Sequence, residues 1–206
     1  MRILSQKVIS CLLQPQSVNK FAKNGIFERA LLFVFNRVSK SRVDEVGPDR
    51  ACAEWLMRNG ALVKWQGYKS YITHYNGLPL DPEDKGVYHI EEVDGTNAAI
   101  SQHGFPHFAG CNHVKKIKLV NAIYIDDSAL CQLNLLSKSL VEMEISECPE
   151  VTFKGLKCLT ELQNLKHLKI GELLNVKDEE INDLIKLLPT NCDLIREGKE
   201  KEKVKE

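Results

Sequence analysis

Acidic residues are missing from the start of the chain. Between Met1 and Phe27 there is no Asp or Glu, while Arg2, Lys7, Lys20 and Lys23 stand among Ile, Leu, Val, Ser and Gln. That is the composition of a mitochondrial import segment; a secretory signal fits poorly, because Gln14, Pro15 and Gln16 break the apolar stretch early. The alternative is an unstructured cytosolic N-terminus. No uninterrupted apolar run approaches the length of a membrane span. Net charge is absent too: 28 basic residues balance 28 acidic ones, which excludes the broad basic footprint of a nucleic-acid binder. The seven cysteines contain no CxxC pair and no regular secreted framework. Their odd number points to reduced, mostly buried thiols rather than disulfides. No phosphate-cradling glycine loop and no nucleophile elbow occurs, so the chain does not read as an enzyme.

What is present supports an ordinary core: 206 residues, 43% of them hydrophobic, suffice for one domain with a small appendage. The stretch VGPDRACAEWLMRNGALVKW, from Val46 to Trp65, marks a short helix at both ends. Gly47 serves as N-cap, Pro48 takes the first helical position, and Asp49 meets the positive end of the helix dipole. Cys52, Trp55 and Leu56 share one face. Asn59-Gly60 ends the element, with Gly60 suited to a left-handed C-cap. Carbonyls exposed there can attract a hard cation or bond to water.

Further on, a repeat emerges. VKKIKLVNAIYI (Val114–Ile125), LVEMEISECPEV (Leu140–Val151) and LKHLKIGELLNV (Leu165–Val176) share apolar residues at relative positions 1, 4, 6, 9 and 12, with sixth positions Leu119, Ile145 and Ile170 spaced 26 and 25 apart. Val93, another 26 upstream, marks a degraded fourth copy with Glu91 at an expected aliphatic position. A short strand, a turn and a helical return at this period form the leucine-rich-repeat pattern. The expected fold is therefore α/β: a leucine-rich-repeat solenoid of about four strand–helix repeats, capped by an N-terminal helical module. The expected organisation is an import segment over 1–25, a helical cap over 26–87, repeats over 88–195 and a charged, disordered tail over 196–206. Trp55 is expected to pack on the first repeat.

These segments carry a resemblance. FNRVSKSRVDEVGPDRACAEWLMRNGALVKW, YNGLP and LVEMEISECPEVTFKGL closely resemble the ATP synthase coupling factor B (subunit s) family, over about Phe33 to Pro189. The resemblance implies a mitochondrial protein on the matrix side of the inner membrane, peripherally attached and associated with the ATP synthase. It implies a role in keeping proton flow coupled to ATP synthesis. It also implies Mg²⁺ bound weakly through the backbone carbonyls of Gly60 and Thr96, with water completing the shell. The Cys-x-Cys of some members is replaced by Val120 and Ala122, which puts dithiol-dependent activity in doubt.

Other candidates are weaker. HGFPHFAGCNH gathers His103, His107, Cys111 and His113, but in no recognised zinc spacing. Cys148 reads as a buried ladder residue, and Asp126-Asp127 as helix-capping groups rather than a catalytic pair. The outward strand positions carry Lys115, Lys116 and Lys118, then Glu142 and Glu144, then Lys166, His167 and Lys169. They form either a solvated sheet with cross-strand ion pairs or a face for docking a partner. Neither nucleic acid nor a small-molecule substrate is expected. Two other readings stay open: an assembly factor for respiratory complex I, and an F-box-like adaptor of a ubiquitin ligase. The acid-free start yields a test. Import into isolated mitochondria should give a shorter, protease-protected product that depends on membrane potential, whereas a full-length cytosolic product would favour the adaptor.

Overall fold

The computed structural model describes residues 25–79 and 81–196. The expected import segment, except its last residue, and the expected tail beyond Arg196 lie outside the described residues. Helices α1 (Gly25–Asn36), α2 (Lys40–Val46) and α3 (Pro48–Arg58) come first. Ser39 caps α2 by accepting from the Arg42 N–H, and Gly47, at φ +86°, both ends α2 and starts α3. At the far end of α3, Gly60 adopts φ +91°. There the Ala61 N–H donates to the Leu56 carbonyl (3.0 Å) and the Gly60 N–H to Met57 (3.2 Å). These two bonds satisfy carbonyls that the helix end would otherwise leave open.

A six-stranded sheet follows in sequential order: β1 (Leu62–Trp65), β2 (Ile90–Asp94), β3 (Lys116–Val120), β4 (Glu142–Ser146), β5 (His167–Ile170) and β6 (Asp193–Arg196). β1 runs antiparallel to β2; every later pairing is parallel. The returns are 3₁₀ turns and helices α4 (Asp127–Gln132), α5 (Phe153–Cys158) and α6 (Asp178–Leu187). The molecule is thus mixed α/β. Strands β1 and β6 extend the sheet at both ends beyond the elements read from the repeat. Both are only four residues long, too short for alternation to stand out.

The first repeat has a different register from the one its period predicts. Val93 lies beside Ile117, not Leu119. The slot beside Leu119 falls to Gly95, where an added Cβ would lie 2.9 Å from Leu119 Cδ2. In this register Ile90, Val93, Gly95, Ala98 and Ser101 fill the five inward positions, all buried. Glu91 needs no excuse: it is not one of them.

Inward residues Val93, Ile117, Leu119, Met143, Ile145, Leu168 and Ile170 belong to one core with Leu130, Leu133, Leu156, Leu159, Ile181 and Leu184 from the returns. The N-terminal helices close this core through Trp55. Its indole stacks on His107 (centroids 5.1 Å) and meets Phe105 and Phe108 edge-on. Its Nε1–H donates to Asn36 Oδ1 at 2.9 Å. Gly104 lies flat against the ring: a Cβ there would fall 2.2 Å from Trp55 Cε2. Trp55→Ala should therefore cost about 3–5 kcal/mol. Gly104→Ala should destabilise as well, because the ring has nowhere to go. Urea denaturation of both variants checks this; an unchanged midpoint in either would mean the indole is not wedged.

Candidate functional site at the cap–repeat junction and the outward sheet face

The residues of GPDRACAEW are spent on attachment. Asp49 accepts the Ile90 N–H at 2.9 Å and lies 3.2 Å from His89 Nδ1, which ties α3 to the start of β2. Buried Glu54 accepts two bonds from Arg42, at 2.9 and 2.6 Å, and a longer one from Arg50. Arg50 also donates to the Asp81 carbonyl at 3.1 Å. Such a buried carboxylate is tolerable because guanidinium forks meet both of its oxygens.

Gly60 and Thr96, the two residues read as cation ligands, each lie two residues beyond the Leu62–Asp94 pair that ends the β1–β2 ladder. The Ala99 N–H bonds the Asn59 carbonyl at 2.8 Å and brings the 95–99 turn onto the end of α3. A Cβ on Gly60 would lie 3.9 Å from Ala98 Cα. Asn59 Oδ1 and Thr96 Oγ1 are buried here without a hydrogen-bond partner. Among the described residues no group of three His, Cys, Asp or Glu side chains is placed to hold a metal. The Asp94 carboxylate is the acidic group at this turn, accepting the Thr96 N–H at 2.9 Å.

Six of the eight residues read as a partner face form two rows across the sheet. One row runs Lys64, Glu92, Lys116, Glu142, His167, Asp193; the other runs Leu62, Asp94, Lys118, Glu144, Lys169, Ile195. Signs alternate from β1 to β4 in the first row and from β2 to β5 in the second; Leu62 and Ile195 carry no charge, and His167 only when protonated. Lys116 pairs with Glu142 at 3.0 Å and Lys169 with Glu144 at 3.1 Å. His167 lies 3.8 Å from Asp193, and Lys64 bonds Glu92, which also accepts from the Tyr71 hydroxyl at 2.6 Å. Lys115 and Lys166 stand one residue ahead of the rows; Lys115 pairs with Glu91 at 3.0 Å. Lys64 escaped the sequence reading because β1 was not recognised as a strand.

Comparison with known proteins decides the family. The chain is 43% identical over 160 residues to the ATP synthase subunit s, mitochondrial, of Macaca fascicularis, covering 76% of this chain and 78% of that relative. The Homo sapiens protein of the same name is 43% identical and the Bos taurus one 44% identical, each over 150 residues, covering 71% of this chain and 74% of the relative. The chain belongs to the ATP synthase subunit s family. No family model matches it.

In this subunit s relative the remaining candidates have structural explanations. His103, His107, Cys111 and His113 do not converge. His103 meets Phe33, His107 stacks on Trp55, Cys111 donates weakly to the His107 carbonyl, and His113 stacks on His89. Asp126 caps α4 by accepting the Ala129 N–H at 2.9 Å. Asp127 reaches the next repeat, accepting from the Thr152 N–H (2.8 Å) and hydroxyl (2.7 Å). Cys148 is buried, its thiol pushed up to about 11 chiefly by that burial. One expectation fails: Cys131 and Cys158 are joined in a disulfide. Their spacing of 27 residues matched no cysteine motif, and only the stacking of α4 on α5 brings them together.

His107 is held neutral. Burial, helped by the charge of Arg58 and opposed by a hydrogen bond to the Arg37 carbonyl, pushes its pKa down to about 4. The unfolded chain takes up this proton near pH 6.5, the folded chain only near 4. In between, the unfolded state binds more protons, so stability should decline as pH falls from about 6.5 to about 4. Urea melts across that window should show the slope, and it should flatten in His107→Phe.

Proposed function

We propose that this chain is a non-catalytic mitochondrial factor that attaches peripherally to the matrix side of the inner membrane, associates with the ATP synthase and supports coupling of proton flow to ATP synthesis. The observation that carries the reading is its 43% identity, over most of both chains, to a relative named mitochondrial ATP synthase subunit s. Those names lend no support to the complex I or ubiquitin-ligase alternatives. No helix among the described residues is long and apolar enough to cross a membrane, which is compatible with peripheral attachment.

In this reading the parallel strands and their helical returns are a leucine-rich-repeat solenoid. Strand spacings of 26 and 25 residues, and inward positions that repeat from strand to strand, support it. The N-terminal helices over 26–87 act as its cap, and the repeats over 88–195 present the docking face. That face comprises Lys115, Lys116, Lys118, Glu142, Glu144, Lys166, His167 and Lys169. A weakly held Mg²⁺ at Gly60 and Thr96 fixes the angle between cap and repeats. The two buried oxygens without partners at Asn59 and Thr96 support that placement, and an ion that keeps most of its waters asks few ligands of a protein.

Co-purification from solubilised mitochondria, with partners identified by mass, tests the whole reading: ATP synthase subunits should be recovered, and their absence would overturn it. Gly60→Val should weaken docking to synthase-containing membranes, because a β-branched residue is strained at φ +91°. Thr96→Ser, which keeps the carbonyl, should dock like the parent, and Mg²⁺ chelation should mimic Gly60→Val. Docking indifferent to both Gly60→Val and chelation would remove the ion from the reading.

A further inference from the structure

We propose that Cys131 and Cys158 form a reversible thiol–disulfide exchange site that clasps α4 to α5, open to small disulfides of the glutathione type. The two Cα atoms are 4.8 Å apart, within the range a disulfide requires. Both side chains are half-exposed on the helical side of the sheet. The other described cysteines, Cys52, Cys111, Cys148 and Cys192, are buried, so among the described cysteines access confines exchange to this pair. Burial also raises the thiol pKa of Cys52, Cys148 and Cys192, which keeps them from the reactive thiolate form.

Contacts other than the disulfide also join the two helices. Asp127 bonds Thr152 at the starts of α4 and α5, and Gly155 packs so closely on Asp127 that a Cβ would lie 2.5 Å from Oδ1. The disulfide closes the opposite ends, since Cys158 is the last residue of α5 and Cys131 the last but one of α4. At helix C-termini thiolates are disfavoured. The resting dithiol is therefore slow, and the partner's reactivity sets the rate. In oxidation, one cysteine thiolate attacks glutathione disulfide, forming a mixed disulfide and releasing one glutathione thiolate. The second cysteine thiolate attacks the protein sulfur of that mixed disulfide and releases the second. The two protons pass to the departing thiolates, and two glutathiones leave reduced.

The full chain, equilibrated in stepped mixtures of reduced and oxidised glutathione, should lose two maleimide-reactive thiols together. Peptide mapping should then find the segments of Cys131 and Cys158 linked. The oxidised form should melt higher than the reduced form by about 5–15 °C. Cys158→Ser should abolish that shift and leave Cys131 as a mixed disulfide with glutathione. Two outcomes would overturn the proposal: both thiols stay reactive even in fully oxidised glutathione, or oxidation joins either one to a different cysteine, Cys11 included.

Discussion

Asn36 has no exposure to water and uses its whole side-chain amide. Its Oδ1 accepts from Trp55 Nε1 (2.9 Å) and from the Ser101 N–H (3.0 Å), while its Nδ2 donates to the carbonyls of Leu32 (2.9 Å) and Ala99 (3.3 Å). Four bonds are all an amide can make. Three of them leave α1, and they join the segment that follows β2 to the indole that plugs the core. Without this amide the Trp55 and Ser101 N–H groups and the Ala99 carbonyl would lose a partner in a dry environment, at about 1–3 kcal/mol apiece. A stack of repeats exposes its first apolar face unless something covers it. Here one side chain ties that cover to the indole and to the segment after β2.

From that fastening outward, the order of the molecule follows. α3 is tied to β2 by Asp49 and to α2 by Glu54 and Arg42. Its end is hydrogen-bonded to the 95–99 turn. Each later strand then lays its inward row on its predecessor, and each return docks on the one before, as Asp127 does with Thr152. The recurrent left-handed turns after β2, β3 and β4 place Asn97, Asn121 and Glu147 at φ of 59°, 50° and 54°. Asparagine adopts this conformation easily, glutamate less so. The Glu147 N–H donates to the Glu172 carbonyl at 2.6 Å, one of the contacts that keep it there.

Much of this was legible in the sequence. Gly47, Pro48 and Gly60 marked the ends of α3 because caps are local chemistry. The apolar positions of three repeats marked the inward face because a period repeated three times outweighs chance. Asp126 was readable as a cap for the same local reason. The rest depends on distance along the chain. Val93 was misassigned because the step from β2 to β3 is 24 residues, while the next two are 26 and 25. Gly95 gave no apolar signal to correct it. The bond from Trp55 to Asn36 spans 19 residues and has no periodic trace. Of the candidate site, the sequence and its family resemblance named Gly60 and Thr96. Their placement beyond the end of a ladder needed β1, a strand too short to recognise.

The alternating rows on the outward sheet face have an electrical consequence. Charges of opposite sign about 5 Å apart cancel one another over a distance comparable with that spacing. This is shorter than the ~8 Å over which salt would screen them anyway. A few water layers away the alternating pairs contribute little field. At contact the face is patterned in sign from strand to strand over β2 to β4. Its electrical character lies in phase rather than in net charge.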